Sequence, residues 1–516
     1  MHITQSLHAA RQRGPDRVAT VFGARTRTVA ESVSRIARLA GALRSLGVAA
    51  GDRVGIYALN SDRYHELLMA VPWADAVVNP VNVRWSLREV AYSLADCRTD
   101  VLVVDDAFAA AVPALREHAP NLRTVIFCGE GDLPEGMHSY EELVAAASEV
   151  DDARRGGDEL YGVFYTGGTT GSPKGVMLSH RACLASAMGS MVTTDMLSRG
   201  GVLLHTAPMF HLADIAAWTI GNLTGATHVM VPSFAPAAVL AAIGEHRVTD
   251  VLLVPTMIQQ LVDAPGAATS ELSSLRRVMY GASPISETVL AKARTVLPNA
   301  RFTQAYGMTE LAPVATLLTA ADHDDPALTR SCGRPAVHAE VRVVDPDGAE
   351  VPRGRVGEIV VRGDHVMSGY WDKPEETATA LRGGWLHTGD AGYLDDAGYL
   401  FVVDRLKDMV VTGGENVYTA EVENALAKHP AVAQVAVIGV PDANWGERVH
   451  AVVVPAPDTK ADPDELRDFC REHIANYKLP RSFEFADALP VSGAGKILKR
   501  ELRKPHWAGA ERGVGG

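Results

Sequence analysis

The chain has 516 residues, of which 47% are hydrophobic and 22% charged, which is globular material for about two to four domains. Its 62 acidic residues outnumber 49 basic ones and leave a net charge of −13, which excludes a general nucleic-acid surface and requires any bound polyanion to be held by a local cationic site. The N-terminus, MHITQSLHAARQRG, lacks the apolar core of a signal peptide, and no apolar run approaches the roughly 18 residues of a membrane span, so the expected location is cytoplasmic. Five scattered cysteines (Cys97, Cys128, Cys183, Cys332, Cys470) offer neither metal spacing nor a disulfide framework.

From about Thr28 to Asp105 the pattern alternates helix and strand. Apolar spacing predicts a helix over Val33–Leu46, Gly47 and Gly51 break it, and Val54–Tyr57 reads as a short strand. Further apolar strands are expected at Val101–Val104, Thr124–Phe127, Val202–Thr206, His228–Val231, Val251–Val254 and Val278–Tyr280. Buried, largely parallel sheets flanked by helices satisfy that rhythm, so the fold class is α/β. Beyond Ala336 the segments shorten into a β subdomain, with Val341–Val344 before DPDG and Glu358–Arg362 before Gly363. After Asp404 a small α+β cap is expected: helix Thr419–Lys428, strands Val432–Ile438 and His450–Val454, and helix Pro463–His473. The domain division is therefore 1–404 for a large core and 405–516 for a mobile cap. The glycine-rich tail from about Trp507 is expected to fray.

The chemistry concentrates in five clusters. TGGTTGSPKG, Thr166–Gly175, packs four glycines, three threonines, a serine and a lysine into ten positions. Glycines let backbone N–H groups turn inward, hydroxyls add donors and Lys174 supplies a cation, which together suit a polyphosphate. The flanking apolar segments Leu160–Tyr165 and Val176–Leu178 make it a strand-to-strand turn, unlike a Walker loop that leads into a helix. YGMTE, Tyr306–Glu310, follows GASP at Gly281–Pro284 and combines an aromatic face, a hydroxyl and a carboxylate able to hold a hard divalent cation. WLHTGD ends on Asp390, an acceptor for two ribose hydroxyls. DRLKD, Asp404–Asp408, precedes GGENVY, Gly413–Tyr418. GAGKILKR, Gly493–Arg500, sets one lysine on a glycine-rich turn. Each cluster alone also reads as an ordinary turn, linker or core segment.

In this order, TGGTTGSPKG, YGMTE, HTGD, DRLKD with GGEN, and GAGK resemble the signatures of the adenylate-forming superfamily, which includes acyl-CoA synthetases, peptide-synthetase adenylation domains and beetle luciferases. The resemblance covers roughly Asp16–Arg500 and is nearest to fatty-acid CoA ligases. It implies a large core of stacked α/β subdomains with a β subdomain, and a cap that swivels. By the same resemblance Thr166, Gly167, Gly168, Thr169, Thr170, Gly171 and Lys174 wrap the β- and γ-phosphates of ATP. Gly281, Ala282, Ser283 and Tyr306 sandwich adenine, and Asp390 with Arg405 holds the ribose. Thr309 touches the α-phosphate, Glu310 coordinates Mg²⁺, His211 in PMFH gates the acyl site, and Lys496 bridges the substrate carboxylate and the α-phosphate. Lys407 is the hinge, Gly413, Gly414 and Glu415 enter for the second half-reaction, and Tyr477 with Lys478 lines the coenzyme A side. Two departures stand out. Gly167 replaces a frequent serine, and Asp404 replaces the glycine of the junction GRxKD.

The resemblance implies attack of a carboxylate on the α-phosphate, release of pyrophosphate, and capture of the acyl adenylate by a thiol. Residues following His211, Val254–Met257 and the stretch Gly307–Val314 are where acid specificity is expected. Ala213, Ala216, Ala217, Trp218, Ala312 and Val314 are small or apolar, and no cation waits there for a second carboxylate. Asp214 is the one acid there that could meet an ammonium group. A medium- or long-chain fatty acid is the first expectation, with aryl or arylalkanoic acids next. A core plus cap without a carrier domain favours coenzyme A as acceptor over a carrier protein, and the intact clusters disfavour a non-catalytic scaffold. The expected partners are small molecules, with no nucleic acid and no integral membrane segment. A homo-oligomer is allowed but not encoded in any motif.

Overall fold

The computed structural model describes residues 1–507 apart from 167–172, 284, 407, 413–414, 443, 458 and 492–496. The chain forms two compact units: Met1–Val341 with Val361–Leu386, and Arg342–Val360 with His387–Gly516.

The first unit is built on two sheets. One orders its strands Gly369–Tyr370, Lys174–Ser179, Leu160–Thr166, Val77–Pro80, Arg53–Tyr57, Thr99–Val104, Thr124–Phe127, His138–Ser139. From Leu160–Thr166 onward its neighbours run parallel, and the strands from Val77–Pro80 to Thr124–Phe127 are almost wholly buried, as a sheet covered on both faces demands. The other runs Arg334–Pro335, Val314–Leu318, Arg301–Gly307, Arg277–Gly281, Asp250–Leu253, Val202–His205, Thr227–Met230, Val18–Phe22, Arg25–Thr28. Its core joins Leu204, Val251, Val278 and Phe302 of the strands to Val239, Ile243, Ile258 and Leu290 of the helices Pro236–His246, Pro255–Asp263 and Glu287–Val296. Each such side chain contributes about 1.5–3 kcal/mol of burial.

Local chemistry sets the ends. The expected helix at Val33 begins earlier, at Val29, because Thr28 and Glu31 form a reciprocal capping box: Glu31 N–H donates to Thr28 Oγ1 at 3.2 Å, and Thr28 N–H to Glu31 Oε2 at 2.7 Å. Its buried stripe, Val29, Val33, Ile36, Ala37, Ala40 and Leu43, has the 3.6-residue period. The turn after it needs Gly47, whose φ is +89°.

The second unit carries two sheets. In Glu340–Val344, Gly357–Arg362, Leu386–Leu394 and Leu400–Arg405, the portions within 342–360 and 387–405 belong to this unit. The second orders Glu415–Val417, Val410–Thr412, Gly446–Pro455, Val432–Asp442, with Ser482–Phe485 parallel to Gly446–Pro455. Alternation decides its faces. Val435, Val437, Val449, Ala451 and Val453 meet Val422, Leu426 and Leu466 of the helices Thr419–Leu426 and Pro463–Arg471. Ala436 and Val452 look the other way, onto Leu489 and Leu502 of the short helix Lys499–Arg503. The two long strands outrun their expected bounds. Pro441 and Gly446 read as loop signals, yet pairing continues through Pro441↔Glu447 to Asp442↔Gly446, where Gly446 takes φ +77°.

The cysteines are all free, and burial raises the Cys97 thiol to about 12. Of the tail expected to fray from about Trp507, residues 508–516 lie outside the described residues, and Trp507 itself is anchored, its indole N–H donating to the Gly439 carbonyl at 3.0 Å. No helix among the described residues is long and apolar enough to cross a membrane.

Candidate active site

The glycine-rich decapeptide closes a β-hairpin. Leu160–Thr166 pairs antiparallel with Lys174–Ser179, and the register sets Thr166 opposite Lys174, so both half-buried residues stand at the rim of the turn. Gly167, Gly168, Thr169, Thr170 and Gly171 lie outside the described residues, as do Lys407, Gly413, Gly414 and Lys496.

The same hairpin edge accepts Gly369–Tyr370, with Tyr370 opposite Val176, which carries an aromatic ring to the lysine. The Lys174 ammonium sits 5.1 Å from the centre of the Tyr370 ring, within cation–π range. The phenol O–H of Tyr370 donates to Glu310 Oε1 at 2.9 Å, and Met367 N–H donates to the Glu310 carbonyl at 2.9 Å. Burial, then the Glu310 carboxylate, pushes the Tyr370 hydroxyl well above the usual tyrosine range, so it stays a donor. Thr309 and Glu310 form a single 3₁₀ turn at the end of the strand Arg301–Gly307, where Thr309 is half-buried and Glu310 is 6% exposed. A cation, a ring and a buried carboxylate thus converge on one edge. Tyr370 is the member that sequence reasoning missed. Its signal was the aromatic pair Tyr370–Trp371 after Gly369, with Trp371 N–H donating to the Gly175 carbonyl at 2.8 Å.

The expected adenine residues sit on neighbouring strand ends. Gly281 ends Arg277–Gly281 opposite Ala305, and a Cβ there would meet the Ala305 carbonyl oxygen at 2.3 Å, so only glycine allows the strands this close. Ala282 follows at φ +69°, an unusual dihedral for a residue with a Cβ, and Ser283 is half-buried. Tyr306, also half-buried, stands one residue after Ala305 and opposite Thr316.

His211 is the N-cap of the helix Leu212–Thr224, its Nδ1 accepting from Ala213 N–H at 3.2 Å, which fixes the ring at the helix mouth. The helix turns Ala217 and Trp218 into the core and leaves Ala213 and Ala216 half-buried. Asp214 is withdrawn: its Oδ2 lies 2.8 Å from His205 Nδ1, and His205 Nε2 lies 2.9 Å from His228 Nδ1, all three side chains being buried.

The remaining candidates belong to the second unit. Asp390 and Arg405 are directly opposite in Leu386–Leu394 and Leu400–Arg405, with Arg405 Nε 2.9 Å from Asp390 Oδ1. Asp404 earns its place in the junction by bonding. Its Oδ1 accepts from Arg405 N–H at 2.7 Å, and its Oδ2 accepts from the backbone N–H of Thr419 and from Thr419 Oγ1 at 2.8 Å. Lys499 lies 2.7 Å from Glu423 Oε1 and donates to Thr419 Oγ1. Burial disfavours the Lys499 charge, but the Glu423 and Asp404 carboxylates hold its pKa above the ordinary lysine value. Glu415 is exposed on Glu415–Val417 opposite Thr412. Tyr477 is 40% exposed on a 3₁₀ turn, and its neighbour Lys478 pairs with Glu421 at 2.7 Å.

Comparison with known proteins identifies the family. Residues 7–371 match the family model described as AMP-binding enzyme, and residues 421–496 match the AMP-binding enzyme C-terminal domain. A feruloyl-CoA synthase of Amycolatopsis is 42% identical over 95% of this chain and 96% of its own. The fatty acid–[acyl-carrier-protein] ligase ScoC of Streptomyces coeruleorubidus is 37% identical over 99% and 97%. The anthranilate CoA ligase AuaEII, solved with anthranoyl-AMP, superposes with a TM-score of 0.91 at 25% identity, covering 98% of this chain and 97% of that one. With a family model spanning well over half its length, this chain belongs to the AMP-binding enzymes, the adenylate-forming superfamily.

Proposed function

We propose that this AMP-forming carboxylate–CoA ligase activates an acid that bears an aromatic ring. The observation that carries the reading is the 42% identity to a feruloyl-CoA synthase over nearly the whole chain. The surroundings of His211 support it. Asp214, the one acid expected to meet an ammonium group, is committed to His205, which disfavours an amino acid. The half-buried Ala213 and Ala216 offer small apolar surface suited to a flat ring. A medium- or long-chain fatty acid is the second reading, favoured by the 37% identity to a fatty acid–[acyl-carrier-protein] ligase. That relative also makes a carrier protein the alternative thiol.

Adenylation solves a leaving-group problem, because oxide cannot be expelled from a carboxylate at neutral pH whereas AMP can. Two anions must first approach, so cations dominate the barrier. We assign Lys496 the charge shared by the acid and the α-phosphate. One ammonium at about 4 Å in an effective dielectric near 20 is worth about 4 kcal/mol, roughly three decades in rate. Lys174 and the loop from Thr166 to Gly171 serve the outer phosphates, Thr309 the α-phosphate, Gly281–Ser283 and Tyr306 the adenine, and Asp390 with Arg405 the ribose. Glu310 is chemically suited to Mg²⁺, since its buried carboxylate accepts a hydrogen bond from Tyr370 that holds it in one orientation. The ion would there neutralise phosphate charge. Between half-reactions the cap, residues 405–516, turns about Lys407, exchanging Lys496 for Gly413, Gly414 and Glu415, with Tyr477 and Lys478 on the coenzyme A side. Lys407→Pro is then expected to slow thioester formation more than adenylation.

A panel of carboxylates with ATP and coenzyme A, scored for AMP and acyl-CoA, tests the reading. Ferulate and cinnamate are expected to outpace decanoate and palmitate at least about tenfold in kcat/KM, a difference of about 1.4 kcal/mol. The reverse order would replace the aromatic reading with the fatty-acid one, and AMP formed only with a carrier protein would replace the acceptor.

A further inference from the structure

We infer that His450, Glu484 and His506 form a binding site for a divalent transition metal of the zinc class, built wholly within the second unit and separate from the nucleotide chemistry. One ligand atom of each residue lies within 4.8 Å of the others. His450 Nε2 and His506 Nε2 each stand 3.6 Å from Glu484 Oε2. An ion held about 2.0–2.1 Å from nitrogen and oxygen sets such atoms roughly 3.3 Å apart at a tetrahedral angle. The two measured pairs therefore need only a few tenths of an ångström of closure, and the half-exposed His506 can supply the rest.

The sheet register builds the site. His450 is opposite Ser482 in the parallel pair Gly446–Pro455 and Ser482–Phe485, so His450, Ser482 and Glu484 share one face. The helix Lys499–Arg503 crosses that face through Leu502 on the Ala436–Val452 cluster, and the chain leaving it sets the His506 ring 4.8 Å from that of His450.

A second observation points to a ligand. His450 is only 5% exposed, yet its Nε2 has no hydrogen-bond partner among the described residues. A buried polar atom in that state costs about 1–3 kcal/mol, and 3.6 Å is too long for Glu484 to relieve it. The other ring nitrogen is already oriented, 2.8 Å from Ser482 Oγ. That oxygen also accepts from Arg448 Nε at 3.2 Å, and its two lone pairs can take both donors. His450 would then carry its proton on Nδ1 and aim the Nε2 lone pair at the ion, the outer-sphere arrangement usual for metal-bound histidine. Two histidines and a glutamate with open positions match zinc or cobalt better than the all-oxygen preference of magnesium. Bound there, the ion clasps the segment after Lys499–Arg503 onto the sheet.

The test uses the full-length protein, stripped with a chelator and titrated with Co²⁺ in the absence of ATP and Mg²⁺. The wild type is expected to bind one equivalent with visible ligand-field absorption that Zn²⁺ displaces, and Zn²⁺ is expected to raise its unfolding midpoint. His506→Ala and Glu484→Gln, both at partly exposed positions that leave the strands intact, are expected to weaken binding at least about tenfold and to remove the midpoint shift. No saturable absorption in the wild type, or titration curves and midpoint shifts unchanged in both variants, would overturn the site.

Discussion

Thr166, Lys174, Gly281 and Tyr306 of the first unit stand on or at the ends of strands whose hydrogen bonds fix them, and Ala282, at φ +69°, directly follows the last paired residue of one such strand. Asp404, Thr419, Glu423 and Lys499 of the second unit are held instead by one buried charged network among themselves. Backbone pairing gives stiffness suited to the preorganised phosphate and adenine cradle that we propose there. A buried ion network fixes orientation through a few charges, and with Asp404 on the core side of the proposed hinge and Thr419, Glu423 and Lys499 on the cap side, the turn we propose about Lys407 acts across it. The network also makes the second unit depend on those charges.

The contrast breaks most visibly at Lys496, to which we assign the catalytic charge. Lys496→Ala is expected to slow adenylate formation by about three decades while sparing thioester formation from supplied acyl adenylate. Equal loss of both half-reactions, measured by single turnover, would remove Lys496 from its assigned place. Next comes the network. Lys499→Met leaves Glu423 and Asp404 buried without their cation and should cost about 3 kcal/mol in urea unfolding of the second unit. Glu423→Leu combined with Lys499→Met should recover part of it, whereas no loss in the single variant would mean that the network is idle.

Protons sharpen the contrast on the other side. In the first unit burial keeps His65, His180 and His365 at about 3 and drives His228 well below 6.5, so these rings are neutral when folded. The unfolded chain binds protons first as pH falls below about 6.5. Stability is therefore complete above that value and lost toward pH 3, by up to about 1.4 kcal/mol per ring for each pH unit. Urea midpoints at pH 7.5 and 5.5 check this, with equal midpoints contradicting it. The smallest effect belongs to Tyr370→Phe, which removes one hydrogen bond to Glu310. About 1 kcal/mol is at stake, or about a fivefold fall in kcat/KM for ATP, and an unchanged value would make the tyrosine a packing residue only.

Much of this was legible in the chain itself, for identifiable reasons. Thr124–Phe127 forms at its expected bounds because four consecutive β-formers, Val125 to Phe127 buried among them, pair with the equally apolar Val101–Val104. The glycine-rich hairpin was legible because the apolar flanks of its loop have strand character. The start of the helix at Val29 was missed because its signal lies in the Thr28–Glu31 capping chemistry, outside the apolar stripe. Tyr370 was missed because its role exists only once Gly369–Tyr370 pairs with Lys174–Ser179, nearly two hundred residues away. The same holds for Asp404. In sequence it is a substitution for glycine, and only the fold reveals Thr419 waiting for its carboxylate.

The central claim is that an acyl adenylate forms before any thiol takes part, and acid-dependent exchange of labelled pyrophosphate into ATP in the absence of coenzyme A tests it most directly. The account predicts exchange that requires the acid, is lost in Lys496→Ala, and is accompanied by no ADP. Exchange that appears only when coenzyme A is added, or ADP formed in step with acyl product, would contradict it.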